Sequence, residues 1–203
     1  MSTFGDRLKD DYATIAQLGE LLDGMTHEGR LTETRSLGRG LQRRLYQKAA
    51  SGPVMTLGEL VPEGVPARRE VRHHGKNTLP VPGPYSRFEK RLARPEAGGE
   101  RLFGYNEGAS RWFLGPGYFV AVPTAGNKDW VNRGGVVVDY FQVPDGAVPD
   151  SWPKVVPNTQ GLQRFVFHHT RDFLRRVSKH VSIGIAYKEE KCLDHFFTLV
   201  RED

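Results

Sequence analysis

The sequence predicts an α+β fold, in which a curved antiparallel sheet or small barrel of about six strands packs against one long C-terminal helix. Short β-forming segments recur through the second half of the chain, and turn residues separate them. A segment before the last two of these has helical periodicity. We therefore divide the chain into an N-terminal helical appendage at 1–51, a Pro/Gly-rich connecting loop at 52–84 and an antiparallel α+β domain at 85–203, which together form one expected structural unit.

The first segment predicts a helical hairpin. Apolar residues recur at helical spacing from Phe4 to Leu22, and a second helix is predicted over residues 32–50. In the second helix, Arg35, Arg39 and Arg43 lie on the side opposite a line of leucines. Such a cationic stripe either contacts nucleic acid or another anionic surface, or is simply a solvated helix face. The solvated helix face is the favoured interpretation.

Little regular structure is predicted for residues 52–84, because six prolines are spread through this segment. Two adjacent histidines, His73 and His74, lie in it without a further ligand at metal-binding spacing. No metal site is therefore predicted, and the sequence identifies no cofactor.

Six strands are predicted after this loop. The central one follows a tight Gly115-Pro116-Gly117 corner and is apolar without alternation, which indicates that both of its faces are covered. The predicted strands are 85–93, 100–105, 118–122, 136–141, 181–187 and 193–200.

The long helix is predicted over residues 162–177, where His169 falls on the apolar stripe that faces the sheet. A buried neutral imidazole serves either as a general base or ligand anchor, or as a core histidine bonded to a backbone carbonyl. The core interpretation is favoured, because the sequence places no partner carboxylate beside His169.

The last two strands predict a hairpin with Glu189 and Glu190 as a two-residue turn. In that register Lys188 pairs with Lys191, Gly184 lies opposite His195, and Ile183 lies opposite Phe196.

Asp139 is the lone carboxylate in a strand of valines and aromatic residues. A carboxylate buried there needs a partner, and Arg111 is the candidate, whereas an outward Asp139 needs none. Cys192 and His195 point to opposite sides of one strand, so they form no nucleophilic pair within it.

The lengths of apolar runs and the absence of known motifs exclude several functional classes. The net charge is +5, the single cysteine is Cys192, and no apolar run approaches the length of a membrane span. With no signal peptide visible, we expect a cytoplasmic protein. The sequence also lacks the P-loop, dinucleotide, nucleophile-elbow and zinc-protease motifs.

The leading hypothesis is a protein that binds a small apolar or amphipathic molecule between the curved sheet and the C-terminal helix. One alternative is a small enzyme that uses His169 or Asp139 as acid or base, and another is a basic module that uses Arg35, Arg39 and Arg43. Nucleic acid is thus an alternative partner and not the favoured one, and no oligomeric state is predicted. The candidate ligand-binding residues are Arg111, Trp112, Tyr118, Phe119, Asp139, Tyr140, Phe165, His169, Phe173 and Phe196.

Overall fold

The computed structural model describes residues 3–81 and 83–203, which form a closed antiparallel barrel of eight strands. Each strand pairs with the next one along the chain, and the last pairs with the first. The strands are β1 (Val71–Asn77), β2 (Arg87–Ala93), β3 (Leu102–Glu107), β4 (Phe119–Pro123), β5 (Val136–Asp139), β6 (Thr170–Arg176), β7 (Val181–Lys188) and β8 (Lys191–Arg201). The helices are α1 (Phe4–Lys9), α2 (Ile15–Asp23), α3 (His27–Ser36), α4 (Arg39–Lys48), α5 (Leu57–Leu60), α6 (Arg111–Leu114) and α7 (Gln163–Val166), with 3-10 turns at Ala49–Ser51 and Gly83–Ser86.

The predicted fold class is therefore wrong in two respects. The barrel has eight strands and not about six, and the long C-terminal helix does not exist. Strands are present at all six predicted positions, but β1 lies in the segment predicted as a loop and β6 lies in the segment predicted as a helix.

The helix prediction failed because the spacing of apolar residues at 162–177 matched a helix by coincidence. Within this segment only the four residues of α7 are α-helical. His169 then adopts a left-handed conformation with φ of 61°, directly before β6 begins at Thr170. In β6 the side chains alternate instead, so Asp172 and Leu174 point into the barrel while Phe173 packs outside it. Strand pairing with β5 and β7 thus overrides the local pattern.

The strand β1 was missed because it carries almost no β-forming residues. Its inward positions are held by a buried His73 and by Gly75, over which the ring of Phe88 lies. The pairing of β1 with β2 and β8 closes the barrel, and this contact is nonlocal.

Four short helices replace the predicted helical hairpin. Thr14 and Thr26 accept hydrogen bonds from backbone N–H groups and begin α2 and α3, and Leu37, with an extended backbone, ends α3. The helices bury their apolar faces against the outside of β6, β7 and β8. They cover one wall of the barrel and leave its two ends free for other segments.

One end of the barrel is closed. The segment around α5 inserts Met55, Leu60 and Val61 among inward side chains of the strands. Arginines from the strand ends hold this segment in place, because Arg201 donates a hydrogen bond to the carbonyl of Glu59 at 2.7 Å and Arg94 donates one to that of Val61. The strand side chains packed there include Leu92, Leu102, Ala121, Val136, Leu174 and Leu199.

Three glycines inside the barrel each lie opposite a phenylalanine on the neighbouring strand. The pairs are Gly75 with Phe88, Gly104 with Phe119, and Gly184 with Phe197. A Cβ atom at any of these glycines would overlap the ring, so each glycine allows a ring to lie flat over the strand.

The hairpin of β7 and β8 begins in the predicted register, since Lys188 pairs with Lys191. A bulge follows, in which Asp194 has a φ of 54°, and from there the pairing differs from the prediction by two residues. Gly184 consequently lies opposite Phe197 and not opposite His195. A shift of two residues keeps every side chain on its predicted face.

Candidate functional site

The end of the barrel opposite α5 opens into a cavity of about 560 Å³. The connections β1–β2, β3–β4, β5–β6 and β7–β8 all lie at this end, because consecutive strands run in opposite directions. The interior of an eight-stranded barrel is either filled by side chains or holds one small ligand. In this barrel side chains fill the α5 end, and space remains at the other end. Apolar residues that line the cavity include Leu79, Val81, Phe88, Phe113, Leu114, Val166, Phe167, Ala186, Phe196 and Phe197.

A cluster of four polar side chains lies at the inner end of this cavity. The Nζ atom of Lys90 lies 3.0 Å from Oδ2 of Asp172 and 3.0 Å from Oδ1 of Asn106, and it also donates to the hydroxyl of Tyr140. The Tyr140 hydroxyl in turn lies 3.2 Å from Oδ2 of Asp172. Asn106 is oriented by a 2.9 Å hydrogen bond from its Nδ2 to the carbonyl of Gly117.

Aromatic rings surround the Lys90 ammonium group. Its Nζ lies between 5.0 and 5.6 Å from the ring centroids of Phe88, Phe119, Tyr140 and Phe197. Each of the three phenylalanines is one that covers a glycine, so the Gly-Phe pairs of the barrel wall also position the rings around Lys90.

Burial sets the protonation of the cluster. Lys90 is only 2% exposed, and desolvation lowers the pKa of its ammonium group, while the carboxylate of Asp172 beside it acts in the opposite direction. Burial also raises the pKa of Tyr140 well above its usual value. Tyr140 therefore stays protonated and neutral.

Lys90 has no donor left for a ligand, because its three N–H bonds match three acceptors within the protein. Asp172 differs, since both of its hydrogen bonds in the described chain go to Oδ2 and leave Oδ1 without a partner. The carboxylate is buried and lines the cavity. Oδ1 of Asp172 is thus an acceptor that the cluster leaves open at the cavity.

Some of the predicted site residues lie at the cavity. Arg111, Tyr140 and Phe196 line it, and Phe119 lies beneath the polar cluster, with its ring edge against Tyr140. Arg111 forms an ion pair of 2.6 Å with Glu107 at the rim.

Trp112 and Phe165 lie outside the cavity on the rim, where both are highly exposed. Tyr118 points to the outer face of the barrel and is covered by Trp152 of the long β5–β6 connection. Its hydroxyl donates to the carbonyl of Pro153, which ties this connection to β4.

Three further predicted site residues also lie outside the barrel interior, and two of them are buried under other segments. Asp139 is buried and pairs with Arg171 at 3.2 Å, so Arg111 is not its partner. His169 is not part of a helix, and its imidazole lies 3.3 Å from a carboxylate oxygen of Glu189. Phe173 packs against the N-terminal helices.

The polar cluster itself was missed, apart from Tyr140. One available signal was alternation in β2, where Lys90 shares a face with Phe88 and Leu92 while charged residues occupy the other face. A lysine on an apolar strand face requires a buried partner. No local pattern identifies Asp172 as that partner, since it lies 82 residues away along the chain.

The arginine stripe is divided between two helices. Arg39 and Arg43 both pair with Asp194, and Arg35 lies on the preceding helix. In residues 3–81 and 83–203, no group of three or more His, Cys, Asp or Glu side chains is arranged to hold a metal ion. No helix in the same residues is long and apolar enough to cross a bilayer.

No protein-family model matches this chain, and searches of curated proteins and of solved structures find no match either.

Proposed function

We propose that the protein binds a small apolar or amphipathic molecule in the open half of the barrel, with an uncharged hydrogen-bond donor at the molecule's inner end. The supporting observation is a largely apolar cavity of about 560 Å³ that ends at a buried polar cluster. Such a volume is typical of sites for small ligands. The cavity lies inside the barrel, so the predicted location between a sheet and a C-terminal helix is corrected.

The charge of the cluster argues for a neutral polar group. Lys90 and Asp172 compensate each other at 3.0 Å, and the cluster carries no net charge with both ionised. A carboxylate placed there would be desolvated beside Asp172 without a free cation to compensate it. A hydroxyl group instead donates to the unpartnered Oδ1 of Asp172 and leaves the existing hydrogen bonds in place.

A matched series of ligands tests this proposal. We expect decanol to bind more tightly than methyl decanoate by roughly threefold to tenfold, because only the alcohol supplies a donor. Decanoate should bind most weakly. Isothermal titration calorimetry or displacement of a fluorescent probe measures all three affinities.

Two variants locate the binding site. Ala186 lines the cavity, so Ala186→Phe should weaken binding because its ring occupies part of the space, and Asp172→Asn should remove the preference for decanol over its analogue. A protein that binds none of the three molecules would contradict the proposal. Tightest binding of decanoate would also contradict it, because that result would place a charged group at the exposed Arg87 of the rim.

The two alternative functions stay predictions. The enzyme hypothesis names His169 and Asp139, and neither lines the cavity. The nucleic-acid hypothesis depends on Arg35, Arg39 and Arg43, and the last two share the single carboxylate of Asp194, which compensates one of their two charges.

A further inference from the structure

We propose that the rim of the open end docks on the surface of an anionic phospholipid membrane, without crossing it. This inference goes beyond the proposed ligand, because it concerns what the outside of the rim contacts. It is carried by the position of exposed apolar side chains and by the charges between them.

Large apolar side chains concentrate on the connections that surround the cavity mouth. Trp112 is 83% exposed and Phe165 is 66% exposed, although both are large aromatic residues. Phe113 and Val166 are exposed next to them in sequence, and Leu79 and Tyr85 are exposed on the β1–β2 connection. A contiguous exposed group of this kind indicates an interaction surface.

The exposed apolar residues of the rim lie on separate connections between strands. Trp112 and Phe113 lie on α6 of the β3–β4 connection, and Phe165 lies on α7 of the β5–β6 connection. Lys188 of the β7–β8 hairpin donates a 3.0 Å hydrogen bond to the carbonyl of Phe165 and so links two of these connections. Separate apolar tips around an opening can enter the headgroup region of a bilayer together, where aromatic side chains are favoured.

Most of the unpaired charges at this end are cations. Arg87, Arg164 and Lys188 have no ion pair in the part of the chain that the structure describes. Of the nearby carboxylates, Glu107 is paired with Arg111 and Asp194 with Arg39 and Arg43. Glu189 lies 3.3 Å from the imidazole of His169, which compensates its charge only when that imidazole is protonated.

This distribution of charge selects among occupants of the rim. A second copy of the chain would bring unpaired cations against unpaired cations, which is unfavourable. An anionic lipid surface attracts those cations while its interior accepts the apolar tips. Continuity of the rim with the cavity would also let an apolar ligand pass between membrane and barrel without crossing water.

The experiment is sedimentation of the full chain with vesicles in the absence of added cavity ligand. We expect binding to vesicles of equimolar phosphatidylcholine and phosphatidylglycerol, weaker binding to pure phosphatidylcholine, and a loss of affinity as salt rises. Trp112→Ser/Phe165→Ser should lower the partition coefficient by about tenfold or more, because it removes two large apolar side chains from the membrane contact. Arg164→Glu/Lys188→Glu should lower it by a similar factor on the anionic vesicles alone.

Matched controls lie elsewhere on the surface. Tyr12 is 92% exposed in the connection between α1 and α2, and Lys128 is exposed in the β4–β5 connection at the opposite end of the barrel. Tyr12→Ser and Lys128→Glu should bind vesicles as the wild type does. The Ala186→Phe variant, with its narrowed cavity, should do so too, which separates this inference from the proposed ligand.

Failure of the wild type to sediment with either vesicle would overturn the inference. Equal losses in the rim variants and the control variants would also overturn it. A concentration-dependent dimer that Trp112→Ser/Phe165→Ser dissociates would assign the rim to a second copy of the chain instead.

Discussion

The two ends of the barrel are built from the same strands and differ in what their inward positions carry. At the closed end those positions hold mostly aliphatic side chains together with His73, and Leu60 and Val61 of the α5 segment fill the remaining space. At the open end they hold glycines, aromatic rings and the cluster around Lys90, and a cavity remains. No segment of the described chain fills that end.

The difference suggests a division of roles, in which the closed end stabilises the fold and the open end serves the proposed binding. Close packing of aliphatic groups stabilises the closed end. The open end instead buries an ion pair, which stabilises little by itself but is costly to break. The following predictions test this division, beginning with the largest expected effect.

Asp172→Ala should lower the free energy of unfolding by about 3–5 kcal/mol, because it leaves the Lys90 ammonium group buried without its partner. Urea denaturation at neutral pH measures this. The double variant Lys90→Met/Asp172→Leu should recover most of the loss, since no buried charge remains. A loss within about 0.5 kcal/mol for Asp172→Ala would show that cavity water screens the pair and that the open end is not desolvated at this depth.

Leu60→Ala should cost about 2–5 kcal/mol, because Leu60 is fully buried at the closed end and the variant leaves a void. Decanol binding should be unchanged at temperatures where the variant stays folded. Chemical denaturation together with the ligand titration checks both parts. Loss of binding in a folded Leu60→Ala variant would show that the two ends are coupled.

His73 gives the closed end a dependence on pH. Its Nε2 lies 2.8 Å from the carbonyl oxygen of Leu60, and burial lowers the pKa of its imidazole to about 4. The unfolded chain, with a histidine pKa of about 6.5, binds the proton more readily, so stability falls as the pH drops from about 6.5 to about 4. The loss should approach about 3 kcal/mol for this residue.

His73→Gln should remove that part of the pH dependence. Unfolding free energies of both proteins, measured by urea denaturation at intervals from neutral pH to about pH 4, give the difference. Parallel curves for the wild type and the variant would mean that His73 is protonated without cost, and hence that the closed end admits water.

Gly184→Ala should cost about 1–3 kcal/mol, because the new methyl group overlaps the ring of Phe197 and displaces it from Lys90. The same variant should weaken ligand binding, since Phe197 lines the cavity. The control is Gly38→Ala, because Gly38 has open space around it, and this variant should leave binding unchanged. Gly98 is not used because its positive φ would strain an alanine. Equal binding by the Gly184 and Gly38 variants would exclude the ring position as a determinant of binding.

Leu193→Ala should change stability by no more than about 0.5 kcal/mol, because Leu193 is 36% exposed at the cavity edge. Thermal or urea denaturation compares it directly with Leu60→Ala. A loss as large as that of Leu60→Ala would mean that the open end contributes to stability as much as the closed one.

The sequence predicted the parts of the barrel that local pattern specifies. The six strands that it located have apolar runs or alternation bounded by turn residues, and the predicted two-residue turn at Glu189 and Glu190 between the last two strands is confirmed. Of the ten residues predicted to bind a ligand, Arg111, Tyr140 and Phe196 line the cavity.

The failures have a common cause, because each missed feature depends on partners that are distant in the sequence. The strand β1 is held by β2 and β8, although its own residues are poor β-formers. The strand β6 has helical spacing and becomes extended because β5 and β7 pair with both of its edges.

The sequence by itself determined an antiparallel architecture, the positions of most strands and an N-terminal helical region, since short-range periodicity and turn chemistry act within a few residues. Only the tertiary structure decided that the sheet closes, which end is filled, and that Lys90 meets Asp172 and Tyr140. Closure requires pairing between the first and last strands, and burial of an ion pair requires both charges to be enclosed together. Both depend on the whole chain, because the free energy of a nonlocal contact is realised only after the intervening segments have folded.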